Sequence, residues 1–138
     1  MLVAEPGVPV GRHELLTVGQ RRELVEVFNE TGSSGPDVRV TEAFAWQVAA
    51  GPDRVALVDG DVRMTYAELD VAGDRLAGRL VAAGVRRGDV VGVFLERGLP
   101  MAVAMLGVLR AGAAYAMLDP EFPDARLAAM AEDAGLAA

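Results

Sequence analysis

Few residues in this sequence could carry covalent or proton-transfer chemistry. Serine occurs only as Ser33 and Ser34, inside the run Gly32-Ser33-Ser34-Gly35-Pro36. An acyl-transfer serine needs a base to take its proton and a third group to orient that base. The sequence identifies neither beside this Gly/Pro-rich joint. Histidine occurs once, as His13, in a stretch without clean periodicity. One imidazole does not make a histidine-rich metal site, so His13 reads as a surface side chain. Cysteine is absent, which excludes disulfides, thiolate nucleophiles and cysteine metal sites. Lysine is absent too, since all 13 basic residues are arginine. Schiff-base formation, a P-loop lysine and lysine-assisted phosphate chemistry are therefore excluded.

No loop for cradling phosphate is visible either. Gly84, Gly88 and Gly92 recur every four residues. The surrounding pattern puts them on a helix end, a turn and a strand, so they do not gather around one anion, and Gly84 and Gly88 read as positional. Neither G-x-G-x-x-G nor G-x-x-x-x-G-K-[ST] occurs. The acidic pairs Asp59/Asp61 and Glu132/Asp133 fall at predicted turns or helix ends, where solvation and capping account for them without a metal. Tyr66 and Tyr115 could donate hydrogen bonds, but each sits where packing explains a ring. Arg86-Arg87, with Asp89 close behind, reads as a solvated helix-to-strand turn. Asn29-Glu30-Thr31 matches the glycosylation sequon, but Met1 to Val3 is too short for a secretory signal core.

The elements that would position these residues follow from periodicity. Met1 to Leu16 contains Pro6, Gly7, Pro9 and Gly11 and reads as an extended tail. Thr17 and Gln20 have capping-box spacing and open a helix with Leu24, Val27 and Phe28 on one face. Gly32 to Pro36 stops it. A second helix is expected from about Thr41 to Ala50, ending at Gly51-Pro52. Two short strands follow, Val55 to Val58 and Val62 to Met64, with the hairpin chemistry of Asp59-Gly60 between them. Thr65 and Glu68 form another capping box, with Met64 and Leu69 placed as its hydrophobic staple. Leu69, Ala72, Leu76, Leu80 and Ala83 make one helical stripe, with Asp70, Asp74 and Arg79 off it, as for a helix packing on a sheet up to Gly84. Val90, Val91, Val93, Phe94 and Leu95 make a nearly continuous apolar strand, suited to a parallel sheet covered on both faces. Leu99 to Arg110 is a helix apolar almost all round, hence deeply buried, and Gly112 ends it. Tyr115 to Leu118 is a strand, Asp119 to Pro123 a turn, and Asp124 to Ala134 a last helix stopped by Gly135. This alternation predicts crossovers onto a parallel sheet. The pattern breaks off at Leu136-Ala137-Ala138, where a further strand is expected, so the domain reads as truncated.

The bulk numbers agree with one domain plus a tail: 138 residues, 52% hydrophobic but only 5% aromatic. The core must be built from Ala, Val, Leu and Met. A net charge of −7 argues against a nucleic-acid surface, which needs basic residues to neutralise phosphates. The most apolar run, Leu99 to Leu109, is about half the length a membrane span requires, so no membrane partner is expected and the setting reads as cytoplasmic.

Two stretches resemble core motifs of the adenylate-forming enzymes. Met64-Thr65-Tyr66-Ala67-Glu68-Leu69 resembles the first, a hydrophobic residue followed by T-Y-x-E-L. Leu109-Arg110-Ala111-Gly112-Ala113-Ala114-Tyr115-Ala116-Met117-Leu118-Asp119 resembles the second, L-K-A-G-x-A-Y-V-P-L-D, and Pro120-Glu121-Phe122-Pro123 with Arg126-Leu127 resembles its usual continuation. The front of the chain narrows the family. Pro9-Val10-Gly11-Arg12, Leu15-Leu16-Thr17 and Phe28-Asn29-Glu30-Thr31 resemble the linker joining a condensation domain to an adenylation domain in nonribosomal peptide synthetases. Acyl-CoA ligases and luciferases share forms of the second motif but lack that linker. Two positions depart from the family: Met117 stands where it has Pro, and Arg110 where it has Lys. Neither carries catalysis in the family.

The resemblance implies an α/β fold: a partial parallel sheet with crossover helices and a β-hairpin, the N-terminal subdomain of an adenylate-forming enzyme. Residues 1–40 would be a linker with one helix, and residues 41–138 the N-terminal part of the adenylation domain. The implied parent activity is ATP-dependent activation of an amino acid to an aminoacyl adenylate and its loading onto a carrier protein, with ATP and Mg as the parent's cofactors. The family's phosphate loop, substrate pocket, ribose-binding Asp and catalytic Lys all lie beyond the second motif. No position here matches a catalytic, cofactor-binding or metal-binding residue, and the chain alone is expected to be inactive and to bind no cofactor. Its partners would be the remainder of the adenylation domain and the neighbouring condensation and carrier domains, with self-association of the isolated chain. Two other readings remain open: a remnant or split-domain half that binds a partner chain, and a docking piece that organises neighbouring domains.

Overall fold

The computed structural model describes residues 16–32, 35 and 37–137, and divides into two units, Met1–Asp37 and Val38–Ala138. The extended tail expected before Leu16 and most of the joint from Ser33 to Pro36 lie outside the described residues.

In the first unit, α1 (Val18–Arg22) starts at Thr17 as the spacing requires. The Thr17 N–H donates to Gln20 Oε1 at 2.9 Å, and the Gln20 N–H donates to Thr17 Oγ1 at 3.2 Å. These bonds satisfy donors that have no partner inside the helix. The continuation is not the regular helix expected from the stripe at Leu24, Val27 and Phe28. Glu23–Val27 is a π-helical turn, in which the Phe28 N–H reaches back five residues to Glu23 O at 2.9 Å. Asn29 supports this widened end, its Nδ2 donating to Leu24 O at 3.0 Å and Val25 O at 3.1 Å. The asparagine of the sequon thus has a structural use.

The second unit begins with α2 (Val40–Ala50) and a hairpin of β1 (Val55–Asp59) and β2 (Val62–Thr65). Asp59 is the last residue of β1 and pairs with Val62, so the loop itself is Gly60-Asp61. Gly60 has φ +57°, while no described residue other than glycine has positive φ. The turn therefore uses one left-handed residue, which glycine adopts without a Cβ clash. α3 (Tyr66–Ala82), β3 (Val90–Phe94), α4 (Leu99–Arg110), β4 (Ala114–Leu118) and α5 (Asp124–Ala134) follow.

The alternation of strands and helices yields one crossover rather than a sheet of every strand. β3 and β4 are parallel, joined through α4, with Val91 opposite Tyr115 and Val93 opposite Met117. The hairpin forms its own two-stranded sheet among the described residues. Its tight turn dictates antiparallel pairing, and β2 enters α3 directly at Thr65.

The α3 stripe meets α4 more than the expected sheet. Two glycines make the close approach possible, and the contacts are reciprocal. A Cβ on Gly73 would lie 2.9 Å from Leu106 Cδ2, and one on Gly107 would lie 2.8 Å from Leu76 Cβ. Each helix thus pushes a leucine into the space that a glycine leaves open on the other. Leu69, Gly73 and Ala77 are the buried residues of α3, and Ala83, expected on the stripe, is exposed. Ala83 is the C-cap, beyond the contact with α4.

Beneath this pair, Val85, Val91, Val93, Ala104, Val108 and Ala113 form the core, with Leu76, Leu80 and Tyr115 around it. Val108 is 1% exposed, and its burial contributes on the order of 1.5–3 kcal/mol. Every residue of α4 except Pro100 is buried or half-buried, as its all-round apolar sequence requires. β3 departs from the expectation of cover on both faces. Val91 and Val93 are buried, while Phe94 is 55% exposed. Alternation along the strand sends Val91 and Val93 to the core face and leaves Phe94 on the other.

The glycine contacts have opposite signs at two exposed-versus-packed sites. Gly107→Ala forces its methyl into Leu76 and should destabilise the fold by about 1–3 kcal/mol. Gly78→Ala, on the open side of α3 with nothing within 4 Å, should stabilise it by about 0.5–1 kcal/mol through helix propensity. Urea melts of both variants check the pair; equal effects would mean that α3 and α4 do not meet at these residues.

Candidate functional site

The two motifs that carried the family resemblance occupy structural junctions. Met64–Leu69 spans the end of β2 and the first turn of α3. Thr65 N–H donates to Glu68 Oε2 at 2.8 Å, and Glu68 N–H donates to Thr65 Oγ1 at 3.2 Å. The Thr65 backbone N–H, and then its hydroxyl, hold the Glu68 carboxyl below the usual carboxylate range. A depressed pKa means that the cap's contribution is present above the unfolded pKa and lost as pH falls through the folded one. Tyr66 packs on Phe44 of α2, ring centroids 5.7 Å apart, and Arg54 lies 5.9 Å over its ring. Leu69 is buried and Met64 half-buried. Each part of the motif thus caps, stacks or packs.

Leu109–Asp119 closes α4 and builds β4. Gly112 has φ +82°, and its carbonyl accepts the Gly88 N–H at 3.0 Å, which brings the turn before β3 against the end of α4. Ala113 is buried. Asp119 Oδ1 accepts the Glu121 N–H at 2.9 Å and shapes the turn ahead of α5. Arg110 does more than the sequence disclosed. Its Nη1 donates to Asp70 O at 2.8 Å and Asp74 Oδ1 at 2.7 Å, and its Nη2 pairs with Asp70 Oδ1. Its guanidinium lies 5.4 Å over the Phe44 ring. Asp70 and Asp74, off the apolar stripe, therefore hold a largely buried arginine that ties α2, α3 and α4 together. Their spacing of one turn is visible in the sequence; the partner 36–40 residues away is not.

Among the described residues, those singled out for chemistry from the sequence are not brought together. Tyr115 borders the core, and Arg86 and Arg87 are exposed, with the Arg86 N–H donating to Asp89 Oδ2 at 2.7 Å. Asp59 is the exception to simple solvation. Its Oδ2 accepts the Leu99 N–H at 3.4 Å and so caps α4 from the end of β1. Glu132 and Asp133 are exposed near the end of α5. His13, Ser33 and Ser34 lie outside the described residues.

A hollow of about 710 Å³ opens at the carboxyl ends of β3 and β4. That is where ligands enter open parallel sheets. Its floor includes Met101, Met117 and Phe122, and its polar lining is Glu96, Asp119 and Glu121 against the single guanidinium of Arg97. A triphosphate there would face three carboxylates. Among the described residues no group of three or more His, Asp or Glu could hold a metal ion. The residues present do not fit ATP and Mg. No helix among the described residues is long and apolar enough to cross a membrane.

Residues 44–138 match the family model described as AMP-binding enzyme. The chain is 42% identical over 133 residues to a linear gramicidin synthase polypeptide of Brevibacillus parabrevis, covering 96% of this chain and 2% of that protein. It is 39% identical to a plipastatin synthase polypeptide of Bacillus subtilis, covering 97% and 5%. Among solved structures it is similar to the nonribosomal peptide synthetase FmoA3 in its AMPPNP-bound form, at 37% identity and a TM-score of 0.73, covering 83% of this chain and 12% of that one. It is also similar to the N-terminal subdomain of Klebsiella oxytoca NpsA in complex with 3-hydroxyanthranilyl-AMSN, at 28% identity and a TM-score of 0.67, covering 70% and 25%. The chain thus spans a small share of each relative's length.

The register of β4 makes a prediction about Met117. Ala114 N–H donates to Asp89 O, the residue just before β3, at 2.8 Å. By alternation the N–H groups of Ala116 and Leu118 also face β3, and that of Met117 faces away. Met117→Pro should change stability by no more than about 1 kcal/mol, whereas Ala116→Pro should cost about 3 kcal/mol or more. Denaturant melts that rank the two the other way would move the strand register by one residue.

Proposed function

The chain belongs to the AMP-binding enzyme family, and from that premise we propose that it is the front part of a nonribosomal peptide synthetase adenylation domain. The observation that carries this reading is the likeness to peptide synthetases across 96–97% of the chain, linker region included. The proposed parent activity is ATP-dependent activation of an amino acid to its aminoacyl adenylate, followed by loading onto a carrier-protein thiol. Residues 1–40 act as the linker from a condensation domain and residues 41–138 as the opening of the adenylation domain. The setting is cytoplasmic, and the partners are the remainder of the domain and the adjoining condensation and carrier domains.

Within that activity this chain supplies scaffold. A phosphoryl-transfer site needs positioned cations and backbone donors around the phosphates. The sequence offers no lysine, the hollow at the sheet's carboxyl end is mostly acidic, and the family motifs cap and pack. No catalytic, cofactor-binding or metal-binding residue is assigned. The reaction's charged groups come from the rest of the domain.

Two measurements test this. Amino-acid-dependent exchange of pyrophosphate into ATP should stay at the no-protein blank for the isolated chain; turnover above it, with contaminating synthetase excluded, would overturn the scaffold role. Leu95 and Met117 are exposed and line the hollow at the carboxyl end of the sheet, and Phe94 is exposed on the sheet's other face; exposed apolar surface of that kind marks an interface. The isolated chain is therefore expected to elute above its 14.4 kDa mass in light-scattering size exclusion and to bind a hydrophobic dye. A monomer without dye binding would remove the interface.

A further inference from the structure

α2 is held far more lightly than the helices it touches. α3 buries three residues and α4 four, while α2 buries none. Thr41, Ala43, Phe44 and Val48 are half-buried, and the rest of α2 is exposed. Among the described residues no hydrogen bond or ion pair joins α2 to α3 or α4; its polar bonds are local. The Arg39 N–H donates to Glu42 Oε2 at 3.3 Å, and the Gly51 N–H donates to Gln47 O at 3.1 Å. Phe44, the largest of the half-buried side chains, makes the attachment. Its ring centroid lies 5.7 Å from that of Tyr66 and 5.4 Å from the Arg110 guanidinium.

Both partners of Phe44 are fixed without help from α2. Arg110 is forked between Asp70 and Asp74, so α3 alone satisfies its donors. The Tyr66 N–H donates to Arg54 O and the Ala67 N–H to Pro52 O, each at 3.0 Å. These bonds occupy free donors at the start of α3 and pin the loop from Pro52 to Arg54 there. The Arg54 guanidinium lies 5.9 Å over the Tyr66 ring, and its stem crosses Gly51, where a Cβ would clash with Arg54 Cδ. Gly51, at φ −172° and ψ 77°, stands outside the helical region and just before the pinned loop. Rotation about its N–Cα bond swings α2 and leaves that loop in place.

We propose that α2 is a hinged strap, pivoting at Gly51 and latched by the Phe44 ring in a preformed seat between Tyr66 and Arg110, and that it opens as a unit while the α3–α4 core stays closed. An isolated helix of 11 residues is marginal in water, so α2 unwinds once it leaves the seat and all its amides open together. Opening bares the Tyr66 ring and the plane of the Arg110 guanidinium, and it costs no hydrogen bond between elements. The strap is independent of any reaction the chain takes part in.

Amide hydrogen exchange at single residues tests this, at a concentration where dilution no longer changes the elution volume. Trp46, Val48 and Ala50 should open to a common extent, at least about tenfold more often than Leu106 and Val108 of α4. Phe44→Ala should speed those three α2 amides by a further factor of about ten, and the milder Phe44→Leu should speed them by less. In both variants Leu106 and Val108, and the pinned Tyr66 and Ala67, should keep their rates. Arg110→Lys cannot stack on the ring, so it should speed α2 in the chain with Phe44 and add nothing after Phe44→Leu. Equal acceleration of α2 and α4 would make α2 part of one cooperative core and overturn the strap. Rates graded along α2, fast at Phe44 and slow at Ala50, would mean fraying and overturn it too. Additive effects of Phe44→Leu and Arg110→Lys would remove the latch, and faster exchange at Tyr66 and Ala67 would remove the pivot at Gly51.

Discussion

The contact between α3 and α4 sets the arrangement of the second unit. Helices can touch at close range only where side chains make room, and here Gly73 and Gly107 each admit a leucine from the other helix. That approach brings Leu76 and Leu80 over the valine core and aligns α4 to join β3 to β4. With aromatic residues at 5% of the chain, there are few large rings to bridge a wider gap. The glycines let a core of alanine and valine close at short range, where cavities would cost stability in proportion to their volume.

The same closeness explains Arg110. It sits at the last turn of α4, where a cation suits the helix dipole, and its side chain is 14% exposed. A buried guanidinium is tolerable only if its donors are satisfied. Asp70, Asp74 and the Asp70 carbonyl do this, while Phe44 covers the planar face. A lysine ammonium could reach a carboxylate here but could neither fork between two aspartates nor stack on the ring. The replacement of the family's usual lysine is thus accommodated by the geometry of α2 and α3.

Local chemistry made much of the fold legible in the sequence. Both capping boxes, at Thr17 and Thr65, form as their spacing requires, because the bonds close within three residues. Leu99–Arg110 and Asp124–Ala134 have the limits that their flanking glycines indicate. What failed was partnership between distant segments. The stripe of α3 says that one face is buried, but an apolar face packs equally well on a sheet or a helix, and only the glycine on each side distinguishes the two. Asp59 as the cap of α4, 40 residues away, was illegible for the same reason. The π-helical turn at Glu23–Val27 depends on Asn29 reaching back to two carbonyls, for which the apolar stripe gives no signal.

The site itself was legible chiefly as a set of motifs without reactive groups, and the structure supplies the reason those motifs look as they do. In Met64–Leu69, threonine caps, glutamate returns the bond, tyrosine stacks and leucine anchors. In Leu109–Asp119, glycine turns the chain and a buried alanine leads it into β4. These positions restrict residue type through backbone geometry and packing density, which constrain as tightly as chemistry does but leave no titratable signature. A search for catalytic groups therefore passes over the most informative residues of this chain. The hollow at the carboxyl end of the sheet follows from the same scaffold: two parallel strands end side by side, and Asp119 bends the chain away toward α5. The place where such a fold meets its ligand is thus framed by residues whose own work is structural. Its lining sets one guanidinium, Arg97, against the carboxylates of Glu96, Asp119 and Glu121.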